Sequence, residues 1–338
     1  MASATTAPAP ARIAWHWPRF WYGLVLALPA AVVALADTQL GLGMAVGMLP
    51  AAAIGLPPLR RRRSLSFAVS VVAALSLALG ALLGLSAITA VVGLFVLGLA
   101  SSLAAARLRG GRLAMLLAVP LVGLGLSFDV PSALAGAGMI VLGGLYAWLV
   151  SLLWPERTPP PRDPDAQAPT PHSQALTYGV LLGLAGATAA LVAYAFDLDH
   201  KGWVCGAALL VMRPDTGPLV TRSLGRAVSV LLGAVLGSVL VASTGSSWAL
   251  AAGILAAVSA LAGTTGSRWY VAPAFTTFVV FLLLLWDHPT DTTWRFVQRN
   301  LETLAGVTIA LFYGAVVPLV IRRLRPGPPA PENPAAAR

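Results

Sequence analysis

Between residues 20 and 321 the chain is a succession of apolar runs, and no polar stretch among them is long enough to fold as a soluble domain. The longest interruption spans 155–174. A membrane helix needs roughly 20 mainly apolar residues. Twelve segments are expected to serve, near 20–36, 39–56, 68–85, 86–106, 113–128, 132–154, 175–196, 202–212, 225–243, 248–266, 270–286 and 301–321. At a rise of about 1.5 Å per residue the segment 202–212 is too short to cross alone. It is expected to borrow polar flanks, or to be broken or re-entrant. Composition agrees: 58% of the residues are hydrophobic and 10% charged, with a mean hydropathy of +0.82. A soluble domain carries roughly 25% charged residues. The fold class is therefore read as all-α, a polytopic integral membrane protein.

The same scarcity of polar residues argues against an enzyme. Lys201 is the only lysine and follows His200, so no phosphate-binding G-x-x-x-x-G-K loop exists. H-E-x-x-H and G-x-S-x-G are missing too, which disfavours a built-in metalloprotease or serine hydrolase. No cofactor is expected, and no metal site, because nothing fixes a ligand geometry. The lone Cys205 cannot form an internal disulfide. A net charge of +10 invites a nucleic-acid reading, but the basic residues lie between apolar runs and not on one soluble face.

Charge placement fixes the expected orientation. With the N-terminus inside, all but three of the 22 basic residues fall on inner loops and tails. The exceptions are Lys201, Arg295 and Arg299. Such a positive-inside bias implies an even number of spans, with both termini cytoplasmic in an inner (plasma) membrane. Trp21, Trp148, Trp154, Trp203, Trp248, Trp269, Trp286 and Trp294 sit near predicted span ends, as an interfacial belt does. Basic residues ahead of an apolar run and Ala34-Leu35-Ala36 also resemble a cleavable signal peptide.

An internal repeat argues that the first span is retained. Sliding the chain on itself by 159 residues places Gly43 and Gly47 on Gly202 and Gly206. It places Arg63-Ser64-Leu65 on Arg222-Ser223-Leu224, and Ala68-Val69-Ser70-Val71 on Ala227-Val228-Ser229-Val230. Two six-helix repeats entering the membrane in the same direction are expected, related by an axis along the membrane normal. The organisation is then a first membrane repeat over 1–154, a proline-rich cytoplasmic linker over 155–174, a second repeat over 175–322 and a disordered tail over 323–338.

The densest polar set lies between 197 and 226. Pro214, Gly217 and Pro218 force a turn at the inner end of the short span, and Arg213, Arg222 and Arg226 surround it. Four residues apart on a helix, Arg222 and Arg226 share a face. Guanidinium groups capture carboxylates bidentately, so these residues are candidates for anion binding, with Asp215 in the turn and Trp203 opening the span. The bland alternative is lipid phosphate binding under the positive-inside rule, and for the arginines at 60–63 that is the expected role. At the outer end, Asp197, Asp199 and His200 are candidates for a gate or proton relay, with Asp287, His288 and Asp291 nearby in the later outer loop. Arg299 and Glu302 are three apart, a spacing that permits pairing across one turn; the alternative is a helix start at the interface, where an acidic residue favours the N-terminal dipole. If Glu302 lies below the headgroups, it should face a cavity or a partner. Pairs such as Gly202-x-x-x-Gly206 and Gly233-x-x-x-Gly237 permit close helix contact and leave a homo-oligomer open.

The second half resembles the fusaric acid resistance protein-like (FUSC) family. The resemblance rests on H-K-G-W, then R-P-D-T-G, then R-x-x-x-R ahead of a glycine-spaced helix: here Trp203, Pro214-Asp215, Arg226 and Gly233/Gly237. Tyr270 with Thr276 resembles a further span, and Arg299, Thr303 and Gly306 resemble the closing R-x-x-x-T-x-x-G element. It covers about 175–322. The family often has Gly-Thr where this chain has Ser229-Val230, and many members carry a large cytoplasmic domain where this chain has only the proline linker. The resemblance groups the chain with aromatic carboxylic acid exporters and, more distantly, with plant aluminium-activated malate transporters. It implies export of small organic anions, aromatic or otherwise hydrophobic carboxylates, through a cavity between helices. The alternatives are a passive anion channel of the malate-transporter type and a non-transporting scaffold or envelope-assembly protein. The expected partners are the anion and membrane lipid.

Overall fold

The computed structural model describes residues 13–107, 111–156, 158, 171–212, 219–244, 246–268, 271–285 and 292–324. The side chains of 111–114, 116–117, 219–226, 244, 284–285, 292–297, 299–300 and 322 lie outside that description. Among the described residues the regular structure is helical throughout, with no strand.

The first half folds as α1 (Trp17–Ala36), α2 (Thr38–Ile54), α3 (Arg60–Leu83), α4 (Ala87–Arg107), α5 (Gly111–Gly125) and α6 (Val130–Leu152). The second half folds as α7 (His172–Ala195), α8 (Lys201–Val211), α9 (Leu219–Thr244), α10 (Ser247–Gly263), α11 (Val271–Leu285) and α12 (Thr292–Leu311). A π-helical turn (Phe312–Val316) then leads into α13 (Val317–Leu324). Local chemistry explains the starts and stops. Pro18 and Pro131 stand in the first turns of α1 and α6, where the missing amide proton costs nothing. Asp37 and Asp129 cap α2 and α6 by accepting from the amides of Leu40 and Ser132. Gly55, at φ 72°, takes a left-handed conformation that ends α2 without strain.

Among the described residues, six helical segments are long and apolar enough to cross a bilayer: Trp17–Ala36, Arg60–Leu83, Ala87–Arg107, Val130–Leu152, His172–Ala195 and Leu301–Ile321. The other apolar helices are shorter, α8 most of all with 11 residues. Leu75, Ile88, Val92, Leu134, Leu191 and Val228 project outward from the bundle. In water such a surface would be an aggregation hazard; lipid tails cover it. The chain is a multi-pass membrane protein.

Two apolar cores organise the bundle, and each draws helices from both halves. One joins Leu26 of α1, Leu42 and Met48 of α2, Leu77 of α3 and Ile140 of α6 to Leu250 and Ile254 of α10 and Phe281 of α11. The other joins Leu182 of α7, Leu209 of α8, Val230 of α9 and Val307 of α12 to Leu94 of α4 and Val119 of α5. The packing partners correspond. α1 lies on α10 as α7 lies on α4, α3 on α5 as α9 on α11, and α2 on α6 as α8 on α12. The 159-residue offset carries the first residue of α3, Arg60, onto the first residue of α9, Leu219.

Candidate functional site

The end of the first half that the charge pattern assigns to the inner face is built around Arg63. It stands in the first turn of α3 and is 1% exposed. Its Nε donates to the Pro57 carbonyl at 3.1 Å, and its Nη2 to Pro155 at 3.0 Å. Nη1 donates to Trp154 at 2.9 Å and to Ser151. These acceptors include carbonyls left without helical partners where α6 ends. In return, the Glu156 carboxylate accepts from the Arg60 amide at 2.8 Å, supplying an acceptor to the first turn of α3. Tyr22 packs edge-on against Trp154 beside this knot. The expectation that all four arginines at 60–63 merely meet lipid phosphate is therefore corrected for Arg63. Burial of its guanidinium is offset by four carbonyl acceptors, and the residue ties two helix ends together. The repeat in the sequence singled out Arg63-Ser64-Leu65, but no local pattern announced distant carbonyl acceptors.

The candidate residues of the second-half inner turn are placed only in part. Arg213 and Asp215 lie outside the described residues. Arg222 and Arg226 lie on the first two turns of α9, and their side chains lie outside the description.

Toward the outer end, three segments converge. α7 closes at Phe196, and Asp197 turns the chain at φ 45°, in the left-handed region that aspartate tolerates. Lys201 in the first turn of α8 pairs with Asp197 at 3.3 Å and lies 5.0 Å from the Tyr194 ring centre. His200 occupies the N-cap position of α8. The amide of Gly202 donates to Ser127 Oγ at 2.9 Å, so the second half borrows a side chain from the first to seat α8.

From this rim a polar line descends into the protein. Gln298 on α12 donates from Nε2 to Asp199 Oδ2 at 3.3 Å and to Glu302 Oε1 at 3.2 Å. Asp199 is exposed, Gln298 half-buried and Glu302 only 4% exposed. Beside Glu302, Thr303 is fully buried and accepts from Trp203 Nε1 at 2.8 Å. The Trp203 ring meets Phe281 of α11 edge-on at 4.3 Å. Trp203 is thus an interior residue, not a member of the interfacial belt, because its indole N–H is taken by Thr303 and its ring is enclosed by α11 and α12. One turn further along α12, a Cβ on Gly306 would run into the Val204 carbonyl oxygen and Ala207, so α12 rests directly on the α8 backbone. Beyond it, the Tyr313 hydroxyl, within the π turn, shares a 2.9 Å hydrogen bond with Thr188 of α7. π turns of this kind recur at functional sites.

The structure therefore brings Asp199, Glu302 and Trp203 into one neighbourhood and leaves Asp197 on the rim with Lys201. The Arg299 side chain lies outside the description, as do Asp287, His288 and Asp291; Glu302 accepts a hydrogen bond from Gln298. Gln298 was missed in the sequence because an amide carries no charge to mark it. Its spacing of four from Glu302 was the available signal. Among the described residues, no group of three or more His, Cys, Asp or Glu side chains comes together as a metal site.

The 159-residue offset sharpens the picture. Glu302-Thr303 falls on Gly143-Gly144, and Trp203 falls on Met44. In the first half a Cβ on Gly143 would collide with the Met44 carbonyl, and one on Gly47 with that of Ile140. There α6 and α2 close backbone to backbone. At the matching place in the second half stand a carboxylic acid, a hydroxyl and an indole.

The family model described as fusaric acid resistance protein-like matches residues 187–316, from within α7 to the end of the π turn. No curated protein and no solved structure matches the chain. Over residues 187–316, the stretch that holds the polar line, the chain is similar to the fusaric acid resistance protein-like family.

Proposed function

We propose that the protein exports small organic anions, aromatic or otherwise hydrophobic carboxylates, across an inner membrane, with both termini cytoplasmic and two six-helix repeats forming the membrane unit. The family match speaks for membrane transport in general. The observation that carries the finer reading is the contrast between Arg63 and Arg222, which share a register at the 159-residue offset. Arg63 spends its guanidinium on carbonyls where α6 ends. At the matching positions of the second half, around 310–314, the chain does not end but runs on through the π turn into α13. The acceptors that consume Arg63 are there engaged in continuing helix. In this reading Arg222 and its neighbour Arg226 take the diffusible carboxylate.

Energetics favour this direction. A carboxylate crosses hydrocarbon only at high cost, and guanidinium groups replace part of its hydration. With the cell interior negative, each exported negative charge gains about 2.3 kcal/mol per 100 mV. Arg213 and Asp215 belong to the inner turn in this reading, and Asp197, Asp199, His200, Arg299 and Glu302 to the outer gate. The test uses cells lacking their own aromatic-acid efflux and challenged with benzoate. Tolerance is expected with the native protein and lost with Arg222→Ala or Arg226→Ala at equal membrane abundance. Equal tolerance in all strains overturns the anion-capture role.

A further inference from the structure

We propose that Glu302 is a proton-binding site reached from the outer face, and that Gln298 links its charge state to closure of the outer gate. Transport is then an exchange of one entering proton for one departing anion. This rests on the transport reading above and adds its energy coupling.

The observations are geometric. Glu302 is 4% exposed, yet two hydrogen bonds through one amide connect it to Asp199 on the exposed loop. The two N–H bonds of Gln298 Nε2 match the two acceptors, one each. While both carboxyl groups are ionised, the amide clamps α12 to the loop between α7 and α8. Glu302 is the second residue of the apolar segment Leu301–Ile321, at the end nearest the rim, so a proton from that face reaches it without crossing the segment. The offset comparison says that this depth is not intrinsically polar, since Gly143 and Gly144 fill it in the first half by close packing.

The step is simple. A hydronium ion at the outer face gives its proton to a Glu302 carboxylate oxygen and leaves as water. The carboxylate becomes a neutral acid, a weaker acceptor for Gln298. The clamp on Asp199 loosens and α12 separates from the rim. Release of the proton inward restores the clamp. Ionisable residues on the elements packed around this stretch are few. α8 carries Lys201, held by Asp197, and buried Cys205; α7 carries His172 at its far end, Tyr178 and Tyr194; the π turn carries Tyr313; the rim carries Asp197, Asp199 and His200; α12 itself carries Arg295 and Arg299. α9 contributes none after Arg226, and α11 none over its length. Glu302 is thus the carboxyl group of α12 and of every helix packed on it.

Two measurements test this on the full chain in liposomes. The first is infrared difference spectroscopy between alkaline and acidic buffer. A carboxylic-acid band is expected to appear on acidification in the native protein, to be absent in Glu302→Gln, and to titrate at a shifted pH in Gln298→Leu. Superimposable spectra for the native protein and Glu302→Gln overturn the proposal, as does an unmoved titration in Gln298→Leu. The second uses phthalate as probe, at clamped zero potential, with external pH one unit below internal. One proton per anion gives about a tenfold outward steady-state ratio, falling to about one in Glu302→Gln. A tenfold ratio retained in that variant contradicts the coupling. Phthalate flux down its own gradient scores the transport reading separately, and its absence leaves the infrared result to decide the proton site.

Discussion

The α2–α6 contact and the α8–α12 contact occupy matching places in the two halves, and they are built on opposite principles. In the first, glycines let two backbones touch, Asp37 and Asp129 cap the helices, Ser70 Oγ donates to the Gly47 carbonyl, and Arg63 ties α3 to the end of α6. In the second, α8 is short, borrows Ser127 from the other half, and faces a helix bearing Gln298, Glu302 and Thr303. That helix continues through a π turn where its counterpart stops. Polar groups at matching contacts thus hold helices together in the first half, and in the second run from an exposed loop into the protein. The family match falls on the latter.

The largest effect that would break this comparison is at Arg63. Arg63→Ala removes the charged donor shared by the carbonyls of Ser151, Trp154, Pro155 and Pro57 and is expected to cost about 2–3 kcal/mol. The readout is the thermal midpoint in detergent. The same truncation at Arg222 is expected to leave that midpoint nearly unchanged and to act on flux. Next comes Gly143→Ala. Its Cβ meets the Met44 carbonyl and pushes α6 from α2, an overpacking cost of about 1–3 kcal/mol. Glu302→Gln, at the matching place, should be far milder in stability.

Smaller effects sharpen the same contrast. Trp203→Phe removes the bond to Thr303 while keeping a ring against Phe281, for about 1 kcal/mol, read as the melting shift. Asp37→Ala should cost about 1 kcal/mol through loss of a helix cap, with no effect on flux. Asp129 gives a pH signature. Its hydrogen bond from Ser132 holds its carboxyl below the ordinary carboxylate range. The stabilisation is therefore present above the unfolded carboxylate's titration and is lost as pH falls through the folded one. Asp129→Asn should flatten that acid limb of the melting curve slightly.

Much of the frame was legible in the sequence. The apolar runs announced helices, and the 159-residue offset anticipated matching helix starts because it keeps arginine, glycine and serine in register. The short 202–212 segment was visible as α8 because polar residues bound its apolar run on both sides. The site was legible only where charge marked it. Asp199 and Glu302 stood out as ionisable residues, but Gln298 did not, since the amide joining them has no charge and one of its two partners lies on a distant loop. Arg63 was misread for the complementary reason. Its neighbours in sequence are arginines that do face outward, and the carbonyls that bury it come from the far end of α6.

The account stands on the second half carrying the anion path and the first half the scaffold. Phthalate flux in liposomes, measured together with thermal stability for Arg222→Ala, tests this most directly. The prediction is flux reduced at least tenfold with an unshifted melting midpoint. Undiminished flux, or flux lost only in step with unfolding, would contradict it.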